Sequence, residues 1–312
     1  GPFEMLRSLR DQLFDAAFWQ TIGHSFGKIS LGFLGAFATG FHFAFGIAIF
    51  AMLISLVIYL ANKRKLPDPR KLTASGATSD PHTVRMAAAE VKKRIWALIA
   101  VYAVVIFFWF SFHQNGLTLT FFAKDYTLLK IGSLDLSAEI FQSMNPFFVV
   151  FLTPAVLAFF GWMRANGREP STPAKIAIGM GIAATAYLVM MLGSLNLPSA
   201  AEVEAMGGLP DSESVTPFLL IGTYLILTIA ELFISPLGIS FVSKVAPPQY
   251  QGLVQGGWLG ATAIGNQLLF IGAVLYQTIP IWLTWGMFVV VCLISMIVMF
   301  SMLKWLNRIT KQ

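Results

Sequence analysis

The sequence predicts an all-α membrane protein of about seven transmembrane helices. Three observations carry this. Hydrophobic residues fill 56% of 312 positions and charged residues only 12%, against about 25% charged in soluble domains. The apolar residues gather into seven runs, 38–62, 95–122, 138–163, 174–194, 216–242, 252–277 and 281–303. Each reaches the roughly 20 residues a helix needs to cross the hydrocarbon. Lys and Arg sit mainly in the connections and alternate between rich and poor ones, as expected for a chain threaded repeatedly through a bilayer.

Residues 1–37 read as an external loop with an interfacial helix. "FEMLRSLRDQLFDAAFW" spaces its apolar residues helically around Arg7, Arg10, Asp11 and Asp15, a pattern suited to lying on a membrane surface. The opening Gly-Pro, without Met, reads as a protease scar and the chain as a fragment. The first span is 38–62. The 63–94 connection holds nine Lys or Arg and a Pro-, Ser- and Gly-rich stretch, so it reads as a cytoplasmic linker ending in a helical lead-in. A six-helix bundle then occupies 95–305. Its 195–215 loop has no Lys or Arg and four acids, which places it outside, and the 306–312 tail is cytoplasmic. The net charge of +6 would suit nucleic acid, but its confinement to loops argues against that partner and for the lipid bilayer.

Glu231 is the only acid well inside a span. A mid-bilayer charge costs about 2.5–3.5 kcal/mol on insertion scales, so such a residue is expected to face a cavity and serve function. Tyr224, Thr228, Glu231, Ser235 and Gly238 recur at three and four residues and share one helix face. Pro236 withholds a donor from the Leu232 carbonyl. In "FFWFSFHQNG", Tyr102, Trp109, His113, Gly116 and Thr120 fall on one face, and His113 can change charge near neutral pH. In "FQSMNPFF", Gln142 and Asn145 lie one turn apart and Pro146 is expected to open the backbone beside them. Gln255, Trp258, Thr262 and Asn266 align in the next-to-last run; Trp258 lines a pocket or packs. The amides have a second reading as glue between helices. No Walker loop, metal-ligand spacing or nucleophilic triad is present, and the single Cys292 permits no internal disulfide. Neither enzyme chemistry nor a metal or other cofactor is expected.

Together, "FFWFSFHQNG", "FQSMNP" and "ELFISPLGISFVSKVAP" resemble the seventh, eighth and tenth helices of the proton-dependent oligopeptide transporter family, within the major facilitator superfamily. "GFHFAFGIAIFAMLISLVIYL" resembles its sixth helix and "GLVQGGWLGATAIGNQL" its eleventh. The resemblance implies a C-terminal portion, helices six to twelve, whose partner is the missing N-terminal bundle. It implies symport of di- and tripeptides by alternating access in the bacterial inner membrane, with a proton gradient as the driving force. Glu231 matches the glutamate that holds the peptide's amino terminus, and Asn145 the asparagine on the peptide backbone. Trp258 lies near the aromatic pocket wall. Ser235 and Gln142, by their places on the same helix faces, are expected to bind substrate with them. His113 stands where the family usually has a proton-coupling glutamate, which leaves His113 and Glu231 as the proton-coupling candidates. The alternatives are a seven-helix receptor, a non-transporting assembly subunit, and a major facilitator porter for a non-peptide solute.

Overall fold

The computed structural model describes residues 41–62, 86 and 88–310. The expected interfacial helix over 1–37, most of the 63–94 linker and the last two residues lie outside the described residues. The described residues fall into two compact units, 41–62 in one and 86–310 in the other. In the former, α1 (Phe41–Asn62) carries no charged residue, and large apolar side chains from Ile49 to Leu60 are exposed along it. A helix apolar all round suits lipid rather than water.

The second unit is a helical bundle. Its elements are α2 (Ala88–Phe112), a 3-10 turn (His113–Gly116), α3 (Thr118–Tyr126), a short hairpin of β1 (Lys130–Ile131) and β2 (Leu134–Asp135), a 3-10 turn (Ala138–Ser143), α4 (Met144–Ala165), α5 (Thr172–Gly193), α6 (Ala200–Ala205), α7 (Pro217–Val245), a 3-10 turn (Pro248–Tyr250), α8 (Gln251–Gln267), α9 (Leu269–Thr278) and α10 (Ile281–Thr310). Among the described residues six helical stretches are long and apolar enough to cross a membrane, and the molecule is a multi-pass membrane protein.

Local chemistry sets the ends. α4 stops at Gly167, whose φ of 64° only glycine adopts without strain. Arg168 N–H then reaches the Met163 carbonyl and Gly167 N–H the Arg164 carbonyl, closing a Schellman cap. Thr216 caps α7 from its side chain, with Pro217 at the first helical position. Pro146 does not open the backbone as expected. It is the third residue of α4, in the first turn, where a missing N–H costs little. α7 passes through Pro236 as one helix.

α5 sits at the centre, with Ile176, Met180, Ala183 and Tyr187 fully buried. Its small residues let neighbours approach. A Cβ on Gly179 would strike Ile234 of α7, and one on Gly181 the sulfur of Met296 of α10. α8 meets α2 along Gly257, Ala261 and Gly265. A Cβ on Gly257 would lie 2.8 Å from the Tyr102 ring, and one on Gly265 would meet the α2 backbone at Ile106 O, 2.9 Å away. Small residues at four-residue spacing permit such close packing in membranes.

The connections sort as the charge alternation predicts. Thr127 pairs with Val215, Lys130 lies 3.8 Å from Asp211 and Tyr276 donates to Asp125 at 2.8 Å, so the Lys- and Arg-poor connections meet at one end. Arg94 reaches the Val245 carbonyl at 3.4 Å at the other. The start of α2 at Ala88 is the helical lead-in expected at the end of the linker. Three runs differ from the uniform spans expected: 95–122 breaks at His113–Gly116, 138–163 opens with the 3-10 turn Ala138–Ser143 before α4, and 252–277 is divided at Leu268.

Candidate functional site

The polar face of α7 is real, and α4 completes it. Asn145 Nδ2 donates to Glu231 Oε2 at 2.9 Å and to Thr228 Oγ1 at 3.1 Å. The amide's orientation follows from its neighbours. Thr228 spends its proton on the Tyr224 carbonyl, 2.7 Å away, so its oxygen can only accept. Both amide hydrogens are therefore committed, and the Asn145 carbonyl oxygen is left as an acceptor. Glu231 is half-buried. Its hydrogen-bond partner is a neutral amide, and among the described residues no Lys or Arg forms an ion pair with it. The result is a carboxylate and an amide oxygen side by side in a helical bundle, with no basic side chain of their own.

The other expected site residues fall around this pair. Gln142, one turn before Asn145, is exposed. Its Nε2 donates to Thr120 Oγ1 at 2.9 Å and the Gly116 carbonyl at 3.3 Å, so its donors serve the break in the first bundle span. Ser235 lies one turn along α7 from Glu231, half-exposed. His113 stacks on Trp109 with centroids 4.9 Å apart and meets Phe112 edge-on. Its Nδ1 is buried with no well-aligned hydrogen bond, and no ion pair joins it to Glu231 among the described residues. Trp258 is only 3% exposed; it packs between Tyr102, edge-on at 6.5 Å, and Gly238, rather than facing an opening.

Residues beyond those expected complete the arrangement. The break at His113–Gly116 releases carbonyls from the helix ladder, and side chains from several helices answer them. Tyr187 of α5 donates to Ser111 O, Tyr224 of α7 to Asn115 O at 2.5 Å, and Gln142 to Gly116 O. A broken span inside a membrane is tolerated when neighbours satisfy it in this way. The Asn-Gly pair in "HQNG" is the sequence signal for that break. A cavity of about 700 Å³ lies apart from Glu231, at the end that holds Lys124, Lys130, Glu204 and Asp211.

At the opposite end Lys175 is nearly buried, 2.5 Å from Glu169 and over the Phe160 ring at 4.2 Å. Arg164 grips the same carboxylate at 2.7 and 2.9 Å. The Arg164 hydrogen bonds, aided by Lys175, hold the Glu169 carboxyl down to about 2 against the opposing effect of burial.

The family model described as the POT family matches residues 70–284, well over half of the chain. Dipeptide and tripeptide permease B of Xenorhabdus bovienii is 30% identical over 232 residues, which is 70% of this chain and 45% of that protein. The peptide transporter YePEPT of Yersinia enterocolitica is 32% identical over 160 residues, 51% of this chain and 29% of that one. An uncharacterized transporter of Bacillus subtilis is 29% identical over 61% of this chain and 35% of its own. The chain thus spans less than half the length of these relatives. Among solved structures, a peptide transporter POT in complex with sulfate superposes with a TM-score of 0.68 at 21% identity, covering 90% of this chain and 65% of that one. A point mutant of peptide transporter POT in complex with alafosfalin gives 0.66 at 21% identity over 90% of this chain and 64% of that one. These two are likenesses of fold. The family match extends from before α2 into α10 and so takes in every helix that builds the Glu231 site, and on that match the chain belongs to the POT family.

Proposed function

We propose that this chain forms one wall of the substrate site of a secondary transporter that carries di- and tripeptides by proton-coupled alternating access. The observation that supports this most is the Glu231–Asn145 pair: an acid within a span, hydrogen-bonded at 2.9 Å to a neutral amide and, among the described residues, ion-paired to no cation. A peptide ammonium supplies the missing charge, and the Asn145 carbonyl accepts from a peptide N–H. The peptide carboxylate needs cations that this face lacks, and a second helical bundle supplies them across a midplane cavity. Protonation of Glu231 removes the attraction, and that difference in affinity biases one state over the other. His113 is the second proton-coupling candidate. The Lys- and Arg-rich end, with the C-terminus, is the cytoplasmic one, in the inner membrane of a bacterium. The names of the relatives, dipeptide and tripeptide permeases, favour the same substrate class.

The test is binding and uptake in liposomes by the chain co-expressed with the N-terminal bundle of a POT-family transporter. An intact complex takes up dipeptide under an inward proton gradient. Glu231→Gln lowers affinity for free-amine dipeptide by roughly thirtyfold or more, the low end of losing one partner of a desolvated charge pair, and leaves the weak binding of an N-acetylated dipeptide unchanged. A Glu231→Gln variant that still prefers the free amine would overturn the reading.

A further inference from the structure

Two spans of the bundle are interrupted, and the interruptions touch. The α2–α3 span changes hydrogen-bonding pattern at His113–Gly116, with Leu117 at φ −124° and ψ −79°. The α8–α9 span is divided at Leu268, where Ile271 N–H turns back to the Leu268 carbonyl. Gln114 joins them. It is fully buried, accepts from Thr118 Oγ1 and donates to the Leu269 carbonyl at 3.5 Å. Its amide lies flat against Gly272, where a Cβ would come within 2.6 Å of the Gln114 Cδ. Beyond the breaks α3 and α9 stay joined, with Tyr276 donating to Asp125 at 2.8 Å and Phe121 and Tyr126 packing on the Tyr276 ring. Before the breaks α2 and α8 are joined separately, through Tyr102 to the Val254 carbonyl and the Gly257 and Gly265 contacts.

We propose that Gln114 is a positioning residue that couples the hinges of these two spans, so that α3 and α9 shift together against α2 and α8. Each half is cross-braced by its own contacts, and the ladder weakens in both spans at one level. Such paired discontinuities are where segments of a membrane bundle bend. A bend at one hinge alone would pull Gln114 out of the niche at Gly272 and leave its Nε2, bonded there to the Leu269 carbonyl, unpaired in an apolar surround, so the second hinge follows.

The experiment is hydrogen–deuterium exchange on the whole chain in lipid nanodiscs, following amides 113–121, 268–276 and, as a reference, 176–190 of α5. Gln114→Leu is expected to speed exchange about tenfold in both hinge segments, the scale of one lost buried hydrogen bond, and to leave α5 unchanged. Gly272→Ala, which keeps Gln114 but fills its niche, is expected to give the same paired pattern. Tyr224→Phe, which frees only the Asn115 carbonyl, is expected to speed 113–121 more than 268–276. Acceleration of 113–121 alone in Gln114→Leu would mean independent hinges and overturn the proposal. Acceleration that includes α5 in both variants would make Gln114 a general packing residue and overturn it equally. The measurement uses no substrate, so its result is separate from the question of peptide transport.

Discussion

The position of Trp258 decides whether the α8 aromatic reads substrate or holds helices, and Gly238→Ala tests it. The indole rests on Gly238. Of the three ring atoms nearest a Cβ placed there, even the farthest, Cζ3, lies 2.7 Å away, whereas ordinary contact starts at 3.4 Å. The ring must retreat by at least about 0.7 Å, and farther at its two closer atoms. It has little room, because Tyr102 stands edge-on at 6.5 Å and is fixed by its bond to Val254 O. Overpacking of this kind costs about 1–3 kcal/mol. In thermal unfolding in detergent, at roughly 2–4 °C per kcal/mol for a domain this size, Gly238→Ala should fall by several degrees. Two controls sit on α8, where Gly256 and Gly260 have nothing within 4 Å of an added Cβ; alanine there should be neutral or slightly stabilising. Trp258→Leu makes room, so the double variant with Gly238→Ala should lose less than the sum of the two single changes. If Gly238→Ala matched Gly256→Ala, the indole would not be wedged between α7 and α8, and Trp258 would be free to turn toward a ligand.

The remaining expectations concern other joints. Gly265→Leu should separate α8 from α2, because an added Cβ already meets backbone at 2.9 Å, and cysteine cross-linking between the two helices should report it as lost yield. The Glu169 carboxyl is held down to about 2, against about 4.3 for an unconstrained glutamate. Its contribution is therefore complete above about pH 4.5 and drains as pH falls toward 2. Glu169→Gln should flatten this acid limb in melting curves taken from pH 6 to 2.5, and parallel curves would refute the assignment. Lys175→Met should be tolerated better than Glu169→Ala, which leaves the nearly buried ammonium of Lys175 without its carboxylate; the two melting temperatures rank them. Asn145→Leu should weaken dipeptide binding in the assembled transporter, and Asn145→Asp should weaken it at neutral pH less than at pH 5 if a second carboxylate can share the ammonium.

The spans were legible because one signal, apolar length against loop charge, repeats at every crossing. The α7 face was legible for a similar reason: Tyr224, Thr228 and Glu231 are polar residues at helical spacing among Leu, Ile and Phe, and the structure sets Thr228 and Glu231 against Asn145 of α4 and Tyr224 against the Asn115 carbonyl. Trp258 was not. α8 carries one row of small residues at Gly252, Gly256 and Gly260 and another at Gly257, Ala261 and Gly265, so spacing alone could not say which face is inward. Neither break was anticipated, though one left a mark. His113–Gly116 carries Asn-Gly inside an apolar run, a turn signal that the uniform-span reading passed over. Leu268 has no such mark, since "NQLLF" contains neither Gly nor Pro and the contacts at that level, Gln114 to Leu269 and Gly272, are tertiary. Lys175, at the edge of the 174–194 run, carries no sequence mark of its burial. It is buried because α5 starts at Thr172, which puts position 175 in the first turn above Phe160.

Glu231 and the break at His113–Gly116 are linked by continuous bonding, and the direction of that linkage can be tested. Asn145 bonds Glu231 and Thr228, Thr228 bonds the Tyr224 carbonyl, and Tyr224 bonds the Asn115 carbonyl. A cation arriving at Glu231 competes with Asn145 for the carboxylate, which alters the hold of Asn145 on Thr228 and, one turn on, the seat of Tyr224. Contiguity alone does not establish coupling; a change at one end must move the other. Thr228→Val keeps the volume and removes the hydroxyl, so it severs the chain at the Tyr224 carbonyl and leaves the Tyr224 side chain and its bond to the break in place. If the chain transmits, amide exchange over 115–121 rises in Thr228→Val, by less than in Tyr224→Phe, because the effect must pass through the Tyr224 backbone. If exchange there stays at the wild-type rate while Tyr224→Phe raises it, the bonds hold each helix locally and the carboxylate does not address the break through them.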